Sequence, residues 1–369
     1  MRVGIEVSPL VAGTGGIPTY VTYLLQGLGQ VDTENEYFLY TNRPVTIKPA
    51  LPDNFTVRLV TWPYYRFQLW FQMALPLRFK SDRIDVFHAT FHRFPLALTV
   101  PGVLTVYDLS GCLTPEHHIK KVRLLNSMLP LHFKQAEEII AVSEFTASEV
   151  KRFAPSVSEK ISVIPEAAAP DLSRVRDRSL LDRTRRELDL PRRFMLFLGT
   201  LEPRKNLPRL LQAYTRVSED IPHHLVMSGS KGWKSAPIFE GIRQAGLAEK
   251  VHITGYVEDE MIPALLSMAD FLVYPSLYEG FGLPVIEAMA CGTPVVCSNA
   301  ASVPEVAGKA ALLADPLSVE DMAVKLRRMA LDDDLRSSLS DMGLKRADQF
   351  SWADTARRTI EVYRKAAGR

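Results

Sequence analysis

With 369 residues, 47% of them hydrophobic, the chain carries enough apolar surface for two domains rather than one. Its 44 Lys plus Arg stand against 42 Asp plus Glu, a near balance that argues against whole-surface nucleic-acid binding, though not against a local basic patch. Three scattered cysteines, Cys112, Cys291 and Cys297, fit neither a disulfide framework nor a zinc site, and no apolar run reaches membrane-spanning length, so a soluble or peripheral cytoplasmic protein is expected.

The chain opens on "RVGIEVSP", read as a buried strand, then the loop "LVAGTGGI" and an amphipathic helix from Pro18 to about Leu28. The segment "GTGGI" lacks both the Lys-Ser/Thr ending of a P-loop and the spacing of a dinucleotide fingerprint. The next strand, "EYFLYTN", ends in Thr41 and Asn42 rather than an acid, which also disfavours a dinucleotide. Gly15 and Gly16 read as a place where the backbone approaches phosphate or acceptor, with an ordinary glycine turn as the alternative. Residues 61–80, "TWPYYRFQLWFQMALPLRFK", combine aromatics with Arg66, Arg78 and Lys80 and contain no acid. Phe67, Trp70, Phe71 and Ala74 share a helical face, with Leu69 and Met73 on another. Packing under the sheet is the expected role, and contact with a bilayer interface is the alternative.

After "ISVIPEAAAP", ending near Pro170, a polar stretch reads as a linker with a short helix. A second buried strand, "RFMLFLG", leads into the loop "TLEPRKN" and a helix from Leu207 to about Val217. Continuous apolar strands alternating with helices imply parallel sheets covered on both faces. Two such openings imply an α/β chain of two facing, doubly wound, Rossmann-like domains, 1–170 and 171–350. Ligands of parallel sheets lie beyond the carboxyl ends of the strands, so a cleft between the domains is expected to hold the site.

Arg204 and Lys205 fall at a helix start, with Asn206 as the expected cap. Cations are unfavourable there because the helix N-terminus is already partly positive. An anion such as a diphosphate would explain them, and an ion pair with Glu202 is the alternative. Further on, "SLYEGFGLPVIEAMACGTPVV" places Glu279 and Glu287 on either side of a glycine-flanked helix start, with Pro284 early in the helix and Gly292 at its end. Free N–H groups of the first turn offer a phosphate site, and a carboxylate suits a vicinal diol. Two carboxylates flanking a phosphate site match a nucleotide sugar. The plainer alternative has Glu287 complementing the helix dipole and Glu279 solvated.

These residues carry a resemblance. "YEGFGLPVIEAMACGTPVV" is similar to the E-x7-E signature of the retaining family 4 glycosyltransferases, which have the GT-B fold. "GTLEPRKNLPRLLQAY" resembles the family's donor-phosphate loop, and "VHITGYVEDEMIPALLSMADFLVYPS" and "SVPEVAGKAALLADP" its donor-domain strands and turns. "FSWADTARRTIEVYRKA" looks like its last helix, which implies that about 351–369 pack back on the N-terminal, acceptor-side domain while 171–350 form the donor domain. The resemblance covers nearly the whole chain and is strongest from about 194 to 316. It implies that Glu287 holds the ribose hydroxyls and Glu279 the transferred sugar. Backbone N–H groups around Phe281, Gly282 and Leu283 would meet sugar and phosphate, and Arg204 and Lys205 would neutralise the departing diphosphate.

The family commonly has a histidine before an aspartate near the sugar, where this chain has Tyr107 before Asp108 in "TVYDLSGC". Tyrosine can hydrogen-bond but is no proton carrier at neutral pH, so His88, or His117 or His118, is a candidate for a place near that site, with a purely structural role as the commoner alternative for each. The wording of the signature looks most like bacterial mannosyltransferases of surface-polysaccharide assembly. What this implies is a retaining, metal-independent transferase with no cofactor beyond its donor. GDP-mannose is the first choice and a UDP-hexose the second, with a saccharide or polyprenyl-diphosphate-linked acceptor at the inner face of the cytoplasmic membrane. A catalytically silent nucleotide-sugar binder and a nucleotide-sugar epimerase are the alternatives.

Overall fold

The computed structural model describes residues 1–13, 15–47, 49–60, 70–113 and 127–368. It divides the chain into two compact units, Met1–Glu166 with Ser351–Arg369, and Ala167–Phe350.

The first unit is built on seven parallel strands: β1 (Arg2–Glu6), β2 (Glu36–Thr41), β3 (Phe55–Leu59), β4 (Val86–Ala89), β5 (Gly102–Val106), β6 (Glu138–Ala141) and β7 (Ile161–Val163). Their order is β3-β2-β1-β4-β5-β6-β7. Central strands are buried almost end to end and read as unbroken apolar runs, whereas edge strand β3 is partly exposed. Strand order reverses between β1 and β4, so the loops leaving those two strands flank the point where parallel sheets open a crevice.

Helix α1 spans Gly16–Val31, two residues earlier and three later than the expected limits. Gly15 caps it at φ +114°, a value that favours glycine. Helix Trp352–Ala366 belongs to this unit and lies along α1, with Trp352 edge-on to Tyr20 at 5.7 Å. A methyl group on Gly27 would run into the carbonyl oxygen of Trp352 and come within 3.2 Å of Ala356 Cβ.

Within 61–80, Trp70, Phe71 and Ala74 are buried in the core, as their shared helical face suggested. Residues 61–69, with Phe67, and 114–126, with His117 and His118, lie outside the described residues. Among the described residues, no helix is long and apolar enough to cross a membrane.

The second unit repeats the plan with six parallel strands: β8 (Phe194–Leu198), β9 (His224–Ser228), β10 (Val251–Gly255), β11 (Phe271–Tyr274), β12 (Val295–Ser298) and β13 (Leu312–Ala314). The order β10-β9-β8-β11-β12-β13 reverses between β8 and β11. β8 leads through a 3-10 turn, Pro203–Lys205, into α2 (Leu207–Thr215). β11 leads through the glycine loop into α3 (Leu283–Ala290). The two loops singled out in the sequence are therefore the pair that flanks the reversal point.

Candidate functional site

The loops after β8 and β11 are stitched together before any side chain is considered. Leu277 N–H donates to the Arg204 carbonyl at 2.9 Å. Asn206 stands at the N-cap position of α2, but its side chain makes no capping bond. It adopts a left-handed conformation, φ 61°, and its amide donates to the carbonyls of Pro275 at 3.2 Å and Pro316 at 2.6 Å. Its side chain thereby ties three loops together.

On this frame the charges converge. Arg204 Nη1 donates to Glu279 Oε2 at 2.8 Å and to the Tyr278 carbonyl at 2.7 Å. Its Nε and Nη2 grip Glu202 Oε1 at 3.1 and 2.8 Å. Lys205 Nζ donates to Glu279 Oε1 at 2.7 Å and to the Tyr274 hydroxyl at 2.6 Å. Ser276 Oγ donates to the same Glu279 oxygen at 2.5 Å. Glu279, only 6% exposed, is thus no solvated loop residue. Burial raises its pKa, but Arg204, Lys205 and the hydrogen bonds outweigh that and bring it to about 2. Burial lowers the pKa of Lys205, with the Glu279 carboxylate opposing that pull. Two carboxylates and two cations leave the cluster formally neutral, the arrangement under which buried charges are tolerated. The pairing with Glu202 raised as an alternative is present, and it coexists with the pairing to Glu279.

Glu287 sits in the second turn of α3, not the first, so it does not complement the helix dipole. It is half-buried and its carboxyl makes no hydrogen bond among the described residues. Burial, with the negative charge of Asp259 added, pushes its pKa up to about 7. Gly282 caps α3 at φ +104°, where any side chain would be strained, while Gly280 does not share that conformation. Ser302 Oγ donates to the carbonyls of Glu279 and Phe281 at 3.0 and 2.9 Å. Phe281 is buried, its ring edge-on to Phe350, so what it offers a ligand is backbone. Leu283 and Pro284 form the first turn of α3, which the loop presents at the carboxyl end of β11.

In the first unit the sequence reading needs one correction. His88 is fully buried in β4, with Nδ1 2.7 Å from the Tyr363 hydroxyl and Nε2 2.7 Å from Thr105 Oγ1. Burial drops its pKa to about 3, and it serves as a neutral clasp between sheet and terminal helix rather than a substrate contact. Tyr107 is also buried and donates its hydroxyl to the Thr90 carbonyl at 2.9 Å, with burial holding it un-ionised. It anchors the loop after β5 and is not placed to carry protons. Asp108 Oδ1 accepts from Ser110 N–H and Oγ at 2.9 and 2.6 Å, shaping the next turn. Gly15 and Gly16 lie at the start of α1, after β1.

Sequence reasoning missed several groups. His92, at φ 44°, accepts from the Tyr107 N–H at 3.2 Å, so a histidine does stand beside Tyr107, reached through the fold. Glu6 ends β1 fully buried, with Oε1 accepting from Ser8 at 2.6 Å and Oε2 without a hydrogen-bond partner among the described residues. Burial lifts it to about 7, against the pull of Arg93. An acid closing a buried strand at the ligand end of a sheet was a signal the sequence did contain. Tyr274, Ser276 and Ser302 gave none, because their roles depend on loops brought together only in three dimensions.

Comparison with known proteins adds to this geometry. The family described as glycosyl transferases group 1 matches residues 181–346, and the one described as glycosyltransferase family 4 matches residues 14–171. The chain is 36% identical over 276 residues to the O-antigen chain mannosyltransferase B of Escherichia coli, covering 74% of this chain and 71% of that one. It is 33% identical over 242 residues to the MMP alpha-(1->4)-mannosyltransferase of Mycolicibacterium hassiacum, covering 64% and 56%. Among solved structures, sucrose-phosphate synthase from Thermosynechococcus elongatus superposes with a TM-score of 0.78 over 99% of this chain and 98% of that one. At 20% identity that is a likeness of fold alone.

Proposed function

Because the chain belongs to the family 4 glycosyltransferases, with their GT-B fold, we propose that it moves mannose from GDP-mannose onto a saccharide or polyprenyl-diphosphate-linked acceptor in surface-polysaccharide synthesis. Anomeric configuration is retained, and no metal or cofactor takes part. The observation that carries this reading is the convergence of Arg204, Lys205 and Glu279 where the second unit's sheet reverses. Mannose as the sugar is supported by the two relatives, both of them mannosyltransferases.

In this reading the donor diphosphate takes the two cations, and the freed Glu279 carboxylate accepts hydrogen bonds from sugar hydroxyls. N–H groups at the start of α3 add to the phosphate contact. Glu287 accepts from the ribose diol. As the glycosidic bond breaks, negative charge grows on the diphosphate, and Arg204 and Lys205, held in place beforehand, meet it without rearranging solvent. That positive charge does the work for which other transferases use a divalent ion. The acceptor is assigned to the first unit, with Gly15, Gly16 and Asp108 on its ligand side.

The test is a thermal-shift panel of GDP-, UDP- and ADP-sugars followed by transfer assays with product NMR. GDP-mannose is expected to raise the melting temperature most and to give an α-linked product. A larger shift and turnover with a UDP-hexose would replace the donor. Hydrolysis or epimerisation without transfer to any acceptor would remove the reading. Glu279→Ala is expected to abolish transfer while nucleotide binding persists. Arg204→Ala with Lys205→Ala should weaken GDP binding far more than guanosine binding, and equal losses would count against the phosphate role.

A further inference from the structure

Helix Val319–Leu331 of the second unit packs against α2, β12 and β13. Its inner side, Met322, Ala323, Leu326, Met329 and Ala330, is buried. The outer side of such a surface helix is ordinarily polar. Here it carries Val324 and Leu331, 52% and 51% exposed, and Leu317 just ahead of the helix is 65% exposed. The three follow one another at intervals of seven residues, which keeps them in one line along the outer face. That interval is the repeat by which helices pair with helices. Single exposed apolar residues are normal, but an apolar line in register on one helix face is not scatter.

Charge along this line is sorted by sign. Glu320 and Asp321 lie in the turn before Val324, and Arg327 and Arg328 in the turn after it. Two such helices laid antiparallel about a twofold axis at Val324 bring Glu320 of each copy beside Arg327 of the other, and Asp321 beside Arg328. Val324 then meets its own counterpart, and Leu317 meets Leu331. A parallel pair would set acid against acid and base against base. The face is therefore complementary to itself in one orientation only, which is what an isologous contact requires. Within one copy Glu320 contacts Arg216, and Arg327 lies 3.7 Å from Asp220, with all four side chains more than half exposed. Ion pairs that exposed contribute little and exchange partners readily. An unrelated protein would have to match acids, apolar line and bases in that order, whereas a second copy does so by symmetry. We propose that the protein forms a twofold dimer through helix Val319–Leu331. One helix pair is a smaller contact than a permanent dimer uses, so the association is reversible, with a dissociation constant on the order of 10 µM. It does not depend on which sugar is transferred.

The experiment is sedimentation velocity of the full chain from about 1 to 200 µM, a range that brackets the expected constant. The average mass should climb from that of one chain toward that of two. Val324→Glu places like charges face to face at the axis and should weaken association about tenfold or more. Glu320→Lys and Arg327→Glu should each associate several-fold more weakly alone, because each sets like charges together across the contact. An equimolar mixture of the two should recover the affinity of the unaltered protein, since each altered residue then meets its opposite. All three variants should keep an unchanged circular dichroism spectrum. The proposal is overturned by a monomer at every concentration, which would leave the apolar line to another protein. It is overturned equally by a dimer that Val324→Glu does not weaken, or by a mixture that associates no better than its components.

Discussion

Glu279 and a donor diphosphate compete for the same two cations. With Glu279 ionised, the cluster of Glu202, Glu279, Arg204 and Lys205 carries no net charge. Glu279→Gln leaves one carboxylate against two cations, so nucleoside diphosphate should bind more tightly, by about threefold to tenfold, while transfer is lost. Calorimetry with GDP and with guanosine decides it, because only the diphosphate should gain, and weaker GDP binding would show that Glu279 orders the cations rather than competing with the ligand. Glu287 yields a second prediction. Its pKa near 7 lies above the ordinary carboxylate value of 4.5, so the native state gives up its proton late and folding stability declines as pH rises from 4.5 to about 7. Donor binding should run the other way, because the ionised form is the one that accepts from both ribose hydroxyls. Titrations between pH 6 and 8 should therefore show GDP binding strengthen, and Glu287→Gln should flatten that dependence. An unchanged slope in the variant would place the titrating group elsewhere.

At the scale of elements, packing sets limits that local sequence does not display. Gly27, in the middle of α1, has no turn to make; it is glycine because the first turn of helix Trp352–Ala366 passes directly over it. Gly27→Ala would ordinarily help a helix, yet here it should cost about 1–3 kcal/mol through overpacking. Denaturant unfolding measures this, and a neutral or stabilising result would mean that the two helices can part without loss. The same contrast governs what could be read in advance. The buried strands and both glycine loops were legible because a run such as "FMLFL" or a bend such as "EGFGLP" expresses its structure within a few residues. The contacts that make the cluster were not. Arg204 and Glu279 lie 75 positions apart and meet only because the sheet reverses between β8 and β11. Asn206 takes the cap position expected of it, but the partners of its amide, Pro275 and Pro316, come from loops much further along the chain. His88 looked like a ligand because its neighbour Tyr363 arrives from the far end of the sequence.

For the molecule as a whole, the two units differ in how the chain builds them. The second is one continuous stretch, Ala167–Phe350, whereas the first is completed only when the chain returns at Ser351. That return is structural and not ornamental. Its helix brings Tyr363 to His88, Lys365 to Glu138 at 2.8 Å and Thr355 Oγ1 to the Pro165 carbonyl at 2.8 Å, and it buries Trp352, Ile360 and Val362. Buried side chains of this size contribute roughly 1.5–3 kcal/mol each, so losing several would consume much of the ~5–15 kcal/mol that holds a typical domain. Two fragments should then behave in opposite ways. Residues 167–350 should fold alone and bind GDP, since Glu202, Arg204, Lys205, Asn206, Glu279 and Glu287 all lie within them. Residues 1–166 should lack a cooperative unfolding transition until a peptide of residues 351–369 is added, and should then acquire one saturably. Near-ultraviolet circular dichroism and thermal melts with increasing peptide report both. Cooperative melting of 1–166 without the peptide would show the terminal helix to be dispensable, and failure of 167–350 to bind GDP would show that the cation pair is not sufficient within its own unit.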